Sequence, residues 1–427
     1  MSIPSVPNIL PSQGAGQSPN NKLNIALCGV GSQGHAAVEH LKGENFVAFC
    51  DVDDERAAPT YKEFPDVPHF RDFRIMLEKM GNRIDAVTVS TPDHMHFPIA
   101  MAALSLGKHV FVEKPLTHTI AEARQLAALA REKKVATQMG NQGHANDGTR
   151  LLKEWFQAGV LGEVREIQSW TDRPIWPQGV KGPDHRKFLP VVPGTLDWDL
   201  WLGVAPDREY DPAYLPFTWR GYWDFGTGAL GDMGCHVMDG AYWALDLTQP
   251  TSVEAIAGHL TQVSPPATSI VTYQFPARGN LPPVKWTWSD GGLQPLVPAE
   301  FDQGPHLPDN GTLIMGSKAM VLADATYASV RIIPELRMKE LASTLPPKTI
   351  PRIEGGHFAE WVRACKGGVP AGSNFDHASR LAETVLLGNV AIRARRRIEW
   401  DSAAMQVTNL PDANQYLTKT YRAGFGV

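Results

Sequence analysis

The apolar run Leu23–Cys28 stops at a glycine-rich turn, Gly29-Val30-Gly31-Ser32-Gln33-Gly34, and Ala36–Leu41 then reads as helix. That order restricts the fold more than any other feature of the chain. A G-x-G-x-x-G turn between a buried strand and a helix is how a doubly wound sheet receives a dinucleotide. Gly29 permits the tight turn, Gly31 lets the backbone approach a pyrophosphate, and Gly34 lets the helix pack close to the strand. The helix start, at Ser32 and Gln33, offers unpaired N–H groups and a favourable dipole to phosphates. A second apolar run, Phe46–Cys50, ends at Asp51, the spacing expected of an acid that accepts hydrogen bonds from both ribose hydroxyls. Its charge repels a 2′-phosphate, so NAD is expected and NADP disfavoured, although Arg56 lies near.

Strand and helix patterns alternate as far as about residue 145. Ala86–Ser90, Val110–Val112 and Ala136–Met139 read as further strands, and Phe73–Met80, Ile99–Leu106 and Ala121–Lys133 as helices. The expected class is therefore α/β, with an N-terminal Rossmann-like, doubly wound parallel sheet. Beyond residue 145 Trp and Pro become frequent. Glu166–Thr171, Thr268–Phe275 and Val284–Trp288 read as strands of a mostly antiparallel sheet in a C-terminal α+β domain, and His357–Cys365 and Ser379–Arg395 as late helices. Pro174–Pro193 and Leu293–Pro308 read as long loops, and the polar tail from Ser402 as a surface segment. The expected division is a flexible arm over 1–21, a nucleotide-binding domain over 22–145 and a substrate and oligomerisation domain over 146–427. The arm is rich in Pro, Ser, Gly, Gln and Asn and has no apolar periodicity.

Composition removes other classes. With 43% hydrophobic and 20% charged residues over 427, the chain can bury a large core without cross-links. A net charge of -5 gives no basic footprint for nucleic acid or anionic membrane, and no apolar run is long enough to span a bilayer. Cys28, Cys50, Cys235 and Cys365 show no C-x-x-C spacing and read as buried free thiols.

Two further stretches, Thr91-Pro92-Asp93-His94-Met95-His96 and Gly107-Lys108-His109-Val110-Phe111-Val112-Glu113-Lys114-Pro115, closely resemble the glucose–fructose oxidoreductase, inositol dehydrogenase and rhizopine-catabolism family. The resemblance runs over nearly all the chain after the arm. It implies an open-faced sheet in the second domain, a homodimer or homotetramer paired through that face, and cofactor contacts from Ser90, Thr91, Pro92, His96, Glu113 and Lys114. Lys114 matches the family's catalytic lysine, and Pro115 biases it toward extended geometry and toward a cis bond. Gly228-Ala229-Leu230-Gly231-Asp232-Met233-Gly234-Cys235-His236 matches the second signature. Asp232 and His236 are four apart and share a helix face, which Asp239 continues. The resemblance makes His236 the base for a hydroxyl proton, Lys114 the group that holds and polarises the same oxygen, and Asp232 the residue that orients substrate or tunes the pair. Two readings of these residues compete: a metal set of Asp232, His236 and Asp239, and a core or capping role for His236.

On the substrate side, Asn141 and His144 follow the last Rossmann strand as hydrogen-bonding candidates. Trp176 and Tyr222 offer aromatic surface to sugar C–H faces. Arg173, Arg220 or His185 could meet an acidic group. The expected function is NAD-dependent oxidation of a hydroxyl on a sugar, polyol or sugar derivative. The alternative is a redox glycosidase that holds NAD tightly and needs a further base, His144 or Tyr222. A non-catalytic sensor fits poorly with Lys114, Asp232 and His236 together. As given, the chain reads as cytoplasmic. Relatives carrying a twin-arginine signal before a segment like Val6–Lys22 make the periplasm the alternative.

Overall fold

A computed structural model describes residues 22–183 and 190–426. The expectations for the 1–21 arm and for His185 fall outside the described residues. The first sheet is six-stranded and parallel, in the order β3-β2-β1-β4-β5-β6. Its strands are β1 (Asn24–Cys28), β2 (Asn45–Cys50), β3 (His69–Phe70), β4 (Ala86–Val89), β5 (His109–Val112) and β6 (Thr137–Met139). All four residues of β4 are buried, as continuous apolar strands covered on both faces must be. The helices between them are α1 (Gln33–Leu41), α2 (Asp54–Glu63), α3 (Phe73–Met80), α4 (His96–Ser105) and α5 (Ile120–Lys133). Local chemistry sets their starts. Asp53 caps α2, Asp72 caps α3, and Thr119 with Glu122 forms a full capping box on α5.

After α6 (Asp147–Gln157) the second sheet begins with β7 (Val164–Trp170). Three helices follow: α7 (Trp198–Leu202), α8 (Gly228–Val237) and α9 (Asp239–Ala244). The remaining strands are β8 (Ser252–Gly258), β9 (Thr268–Phe275), β10 (Val284–Ser289), β11 (Gly311–Gly316), β12 (Met320–Ala323), β13 (Val330–Ile333), β14 (Ile398–Asp401) and β15 (Gln406–Val407). The late helices are α10 (Glu335–Leu341), α11 (Gly356–Cys365) and α12 (Phe375–Ala394). The nine strands run β13-β12-β11-β7-β10-β9-β8-β14-β15. Only β7 and β10 pair in parallel; the other pairs are antiparallel. β7 is an inner strand, yet both its partners come more than a hundred residues later in the chain.

Helix α12 is buried almost all round and packs between α5 of the first domain and α8, β8 and β9 of the second. Gly388 makes this approach possible, because a Cβ there would collide with the Tyr273 hydroxyl and the Leu230 side chain. The four cysteines are free, and Cys28, Cys50 and Cys235 are buried. No helix of the described residues is long and apolar enough to cross a membrane. The tail departs from the surface course its polarity suggested. Val407, Ala413, Leu417 and Phe425 are buried, because widely spaced apolar residues dock it while its polar residues face out.

Candidate active site

A cavity of about 470 Å³ lies along the C-terminal ends of β1, β2, β4 and β5, where open α/β sheets bind ligands. Gly29, Gly31, Ser32 and Gln33 line one side, with Asp51 near one end and Ser90, Thr91, Pro92, Glu113 and Lys114 along the floor. The turn has the shape a pyrophosphate needs. Gly29 takes φ +78°, a Cβ on Gly34 would fall on the Gly29 carbonyl, and a Cβ on Gly31 would come within 2.9 Å of the Arg56 carbonyl oxygen. No side chain caps the start of α1, and although the N–H groups of Gly34 and His35 donate to the Gly31 and Ser32 carbonyls at 3.0 Å, the helix dipole at this end favours an anion. Asp51 accepts from the backbone N–H of Val30 at 2.9 Å and of Asp53 at 3.1 Å, which fixes its carboxylate at the cavity. The hydroxyls of Ser90 and Thr91 are buried without partners among the described residues, as groups awaiting a ligand would be. The residues present therefore fit a dinucleotide.

At the other end Lys114 Nζ meets Asp232 Oδ1 at 2.7 Å, and Arg220 Nε meets the same oxygen at 3.0 Å. The Lys114–Pro115 peptide is cis. Burial raises the Asp232 carboxyl, but the charges of Lys114 and Arg220 outweigh it and hold the group well below the carboxylate range. Arg220 is oriented by Trp219 and Phe217, whose rings lie 4.2 and 4.6 Å from its guanidinium. His236, one helical turn beyond Asp232 on α8, also lines the cavity. Burial first, and the Lys114 charge second, push its pKa down to about 3, so it is neutral and free to accept a proton.

Asp239 departs from the helical face proposed for it, since α8 ends at Val237 and Asp239 opens α9. Its carboxylate receives His144 Nδ1 at 2.9 Å and His377 Nε2 at 2.7 Å, a buried group apart from Asp232. Burial raises Asp239, but the two imidazoles outweigh it and bring the carboxyl well below its usual range.

Of the expected cofactor contacts, Gly34 and His96 stand outside the lining. Gly34 sets the close packing of α1 on the turn. His96 is buried between the carbonyl oxygens of Pro115 at 2.7 Å and Thr91 at 2.9 Å, where it braces the floor. Of the expected substrate contacts, Arg220 lines the cavity. Asn141, His144, Arg173, Trp176 and Tyr222 do not, each for a local reason. Asn141 accepts from Ser373 Oγ, His144 is held by Asp239, and Arg173 pairs with Asp172. Trp176 stands behind Arg220 and gives its N–H to Gln178, and Tyr222 packs edge-on against Tyr214. Sequence reasoning passed over Leu200, Leu215 and Phe217 of the second domain, Arg71 and Phe73 of the first, and Phe425 of the tail. The aromatic cluster around Trp219 pointed to the neighbourhood of Phe217. Nothing local marked the others.

The chain spans 40% of the length of each of two curated relatives. It is 41% identical to the uncharacterized oxidoreductase YdgJ of Escherichia coli K12 over 140 residues, 31% of this chain. It is 24% identical to levoglucosan dehydrogenase of Pseudarthrobacter phenanthrenivorans over 195 residues, 44% of this chain. In structure it resembles the WlbA dehydrogenase of Bordetella pertussis, solved with NADH and UDP-GlcNAcA, with a TM-score of 0.62 and 15% identity over 89% of this chain and 99% of that one. Levoglucosan dehydrogenase, solved with NADH and levoglucosan, gives a TM-score of 0.58 and 17% identity over 88% of this chain and 99% of that one. Residues 23–141 match the oxidoreductase family's NAD-binding Rossmann fold and residues 152–427 its C-terminal alpha/beta domain. The chain is thus a member of the glucose–fructose oxidoreductase, inositol dehydrogenase and rhizopine-catabolism family of oxidoreductases.

Proposed function

We propose that this oxidoreductase uses NAD to oxidise a hydroxyl of a sugar-like, hydroxyl-rich small molecule. One observation carries the reading: a single cavity is lined by the glycine turn and Asp51 at one end and by Lys114, Arg220 and His236 at the other. When bound, the nicotinamide supplies the hydride acceptor. Lys114 holds the substrate oxygen and stabilises negative charge on it. His236 takes the hydroxyl proton. Its low basicity means that the transfer is drawn by hydride departure rather than completed before it. Asp232 fixes Lys114 and Arg220 against each other. Asp51 supports NAD over NADP, since a carboxylate at the end of β2 would repel a 2′-phosphate.

The sugar class is supported by the dehydrogenase relative named for levoglucosan and the structural neighbour holding a nucleotide sugar. A dehydrogenase is preferred to a redox glycosidase because His144 and Tyr222, the candidates for the extra base, stand outside the cavity lining. The purified protein is assayed for released nicotinamide after denaturation, then for NAD reduction with a panel of sugars and aryl glycosides. NADH formed in proportion to sugar consumed is expected. Aglycone release without net reduction would replace this reading with the glycosidase. In the His236→Ala variant turnover is lost while NADH still binds; unchanged activity would remove His236 from the mechanism.

A further inference from the structure

Residues Leu417–Phe425 leave the second domain and cross the junction. The N–H of Ala121 donates to the Leu417 carbonyl at 3.1 Å. Lys419 Nζ is buried against Glu122 Oε1 at 3.2 Å and the His94 carbonyl at 3.2 Å. Tyr421 donates its hydroxyl hydrogen to Glu122 Oε1 at 2.6 Å. Arg422 pairs with Asp199 of α7 and donates to the Gly203 carbonyl at 3.0 Å. Arg74 of α3 donates to the Gly424 carbonyl at 2.7 Å. These contacts deliver Phe425 to the cavity, with the guanidinium groups of Arg74 and Arg422 each 4.5 Å from its ring centroid.

Phe425 lines the same cavity as Asp51, Phe73 and Leu200, and only 8% of it is exposed. Asp51 marks the adenosine ribose, so the base lies beyond it. Phe73, Leu200 and Phe425 give that end apolar walls, the surroundings that favour a flat purine. We infer that the strap Leu417–Phe425 is part of the cofactor site: Phe425 forms a wall for the adenine, and the dinucleotide departs only when the strap undocks. The inference rests on the NAD reading above and adds a residue no glycine motif points to. It also predicts slow cofactor exchange, because release requires the polar anchors at Glu122, Asp199 and Arg74 to open together.

The test compares the unaltered protein with Phe425→Ala and Phe425→Trp. NADH release is followed by stopped-flow fluorescence, and binding of ADP-ribose and of nicotinamide mononucleotide by calorimetry. Phe425→Ala should release NADH about tenfold faster and bind ADP-ribose about tenfold more weakly. Nicotinamide mononucleotide binding should stay unchanged, and Phe425→Trp should restore both. Equal release rates and equal ADP-ribose affinities would overturn the inference and leave the NAD reading intact. No NADH binding by the unaltered protein would overturn both. Hydrogen exchange of residues 417–426 in the unaltered protein is the second measurement. ADP-ribose should slow it, and exchange indifferent to ADP-ribose would sink the strap.

Discussion

Lys114 has a side chain only 14% exposed and is held in place by Asp232. Its removal takes away the charge that stabilises a developing alkoxide but leaves Arg220 on Asp232, so the buried carboxylate stays paired. Lys114→Met is therefore expected to fold normally and to bind NADH nearly as well. Its single-turnover hydride transfer should fall by about 10²–10⁴-fold. A rapid-mixing record of NADH appearance checks this, and a variant that turns over at the parent rate would deny Lys114 its place. Lys114, Asp232, His236 and the glycines are legible in the sequence because each sits in a short motif whose spacing carries its geometry. His144 was legible only as a polar residue after a strand. Its true partner, Asp239, lies 95 residues away, and no local pattern records that bond. Arg220 is expected from the sequence to meet substrate and it lines the cavity, but its ion pair with Asp232 depends on how α8 meets the loop before it.

Helix α8 carries Asp232 and His236, and its position depends on its neighbours. Asp93 Oδ2 accepts from the Thr227 N–H at 3.0 Å and from the Thr227 hydroxyl at 2.7 Å, which ties the start of α8 to the first domain. On the other side α12 approaches through Gly388. A Gly388→Ala variant must push α12 away from Leu230 and Tyr273, and this overpacking should cost about 1–3 kcal/mol. Urea unfolding measures it. A stability equal to the parent's would mean that the helices have slack here. Element existence was mostly legible, from periods of 3.6 and from short apolar runs. Boundaries and breaks were less so. The interruption between α8 and α9 follows no proline and no strong stop signal, so the sequence pattern carries Asp239 on with Asp232 and His236, while the structure pairs it with His144 and His377.

Across the whole molecule, buried histidines join the two domains. His94 reaches the carbonyls of Phe225 and Trp201, and His118 that of Gly226. Burial pushes His94 down to about 3 and His96 to about 4, and takes His118 well below its usual value. A neutral ring donates to only one of the two carbonyls that His94 and His96 each meet, and the second contact favours the cation, but burial outweighs it, so each favours the folded state while neutral. The stabilisation is complete above the unfolded value of about 6.5 and is lost as pH falls toward about 4. For His96, which lies within the first domain, lowering to about 4 corresponds to about 3 kcal/mol at full effect. The thermal midpoint should accordingly drop steeply between neutral and mildly acid buffer; a flat profile would mean that these rings are charged or solvated. This junction was not legible in the sequence, because each histidine bonds to backbone carbonyls that any residue could supply.

The parallel pairing of β7 with β10, and its antiparallel pairing with β11, govern the order in which the chain can assemble. β7 is made early but is flanked on both sides by strands made more than a hundred residues later. Until β10 and β11 exist, its Val164, Ile167 and Trp170 side chains and both its backbone edges stay uncovered. Closing loops of that length is slow, so the second domain has high contact order while the first can close strand by strand. Chaperone demand during synthesis should therefore concentrate in the interval between β7 and β11, and a nascent chain stalled within it would expose a sticky, unpaired strand.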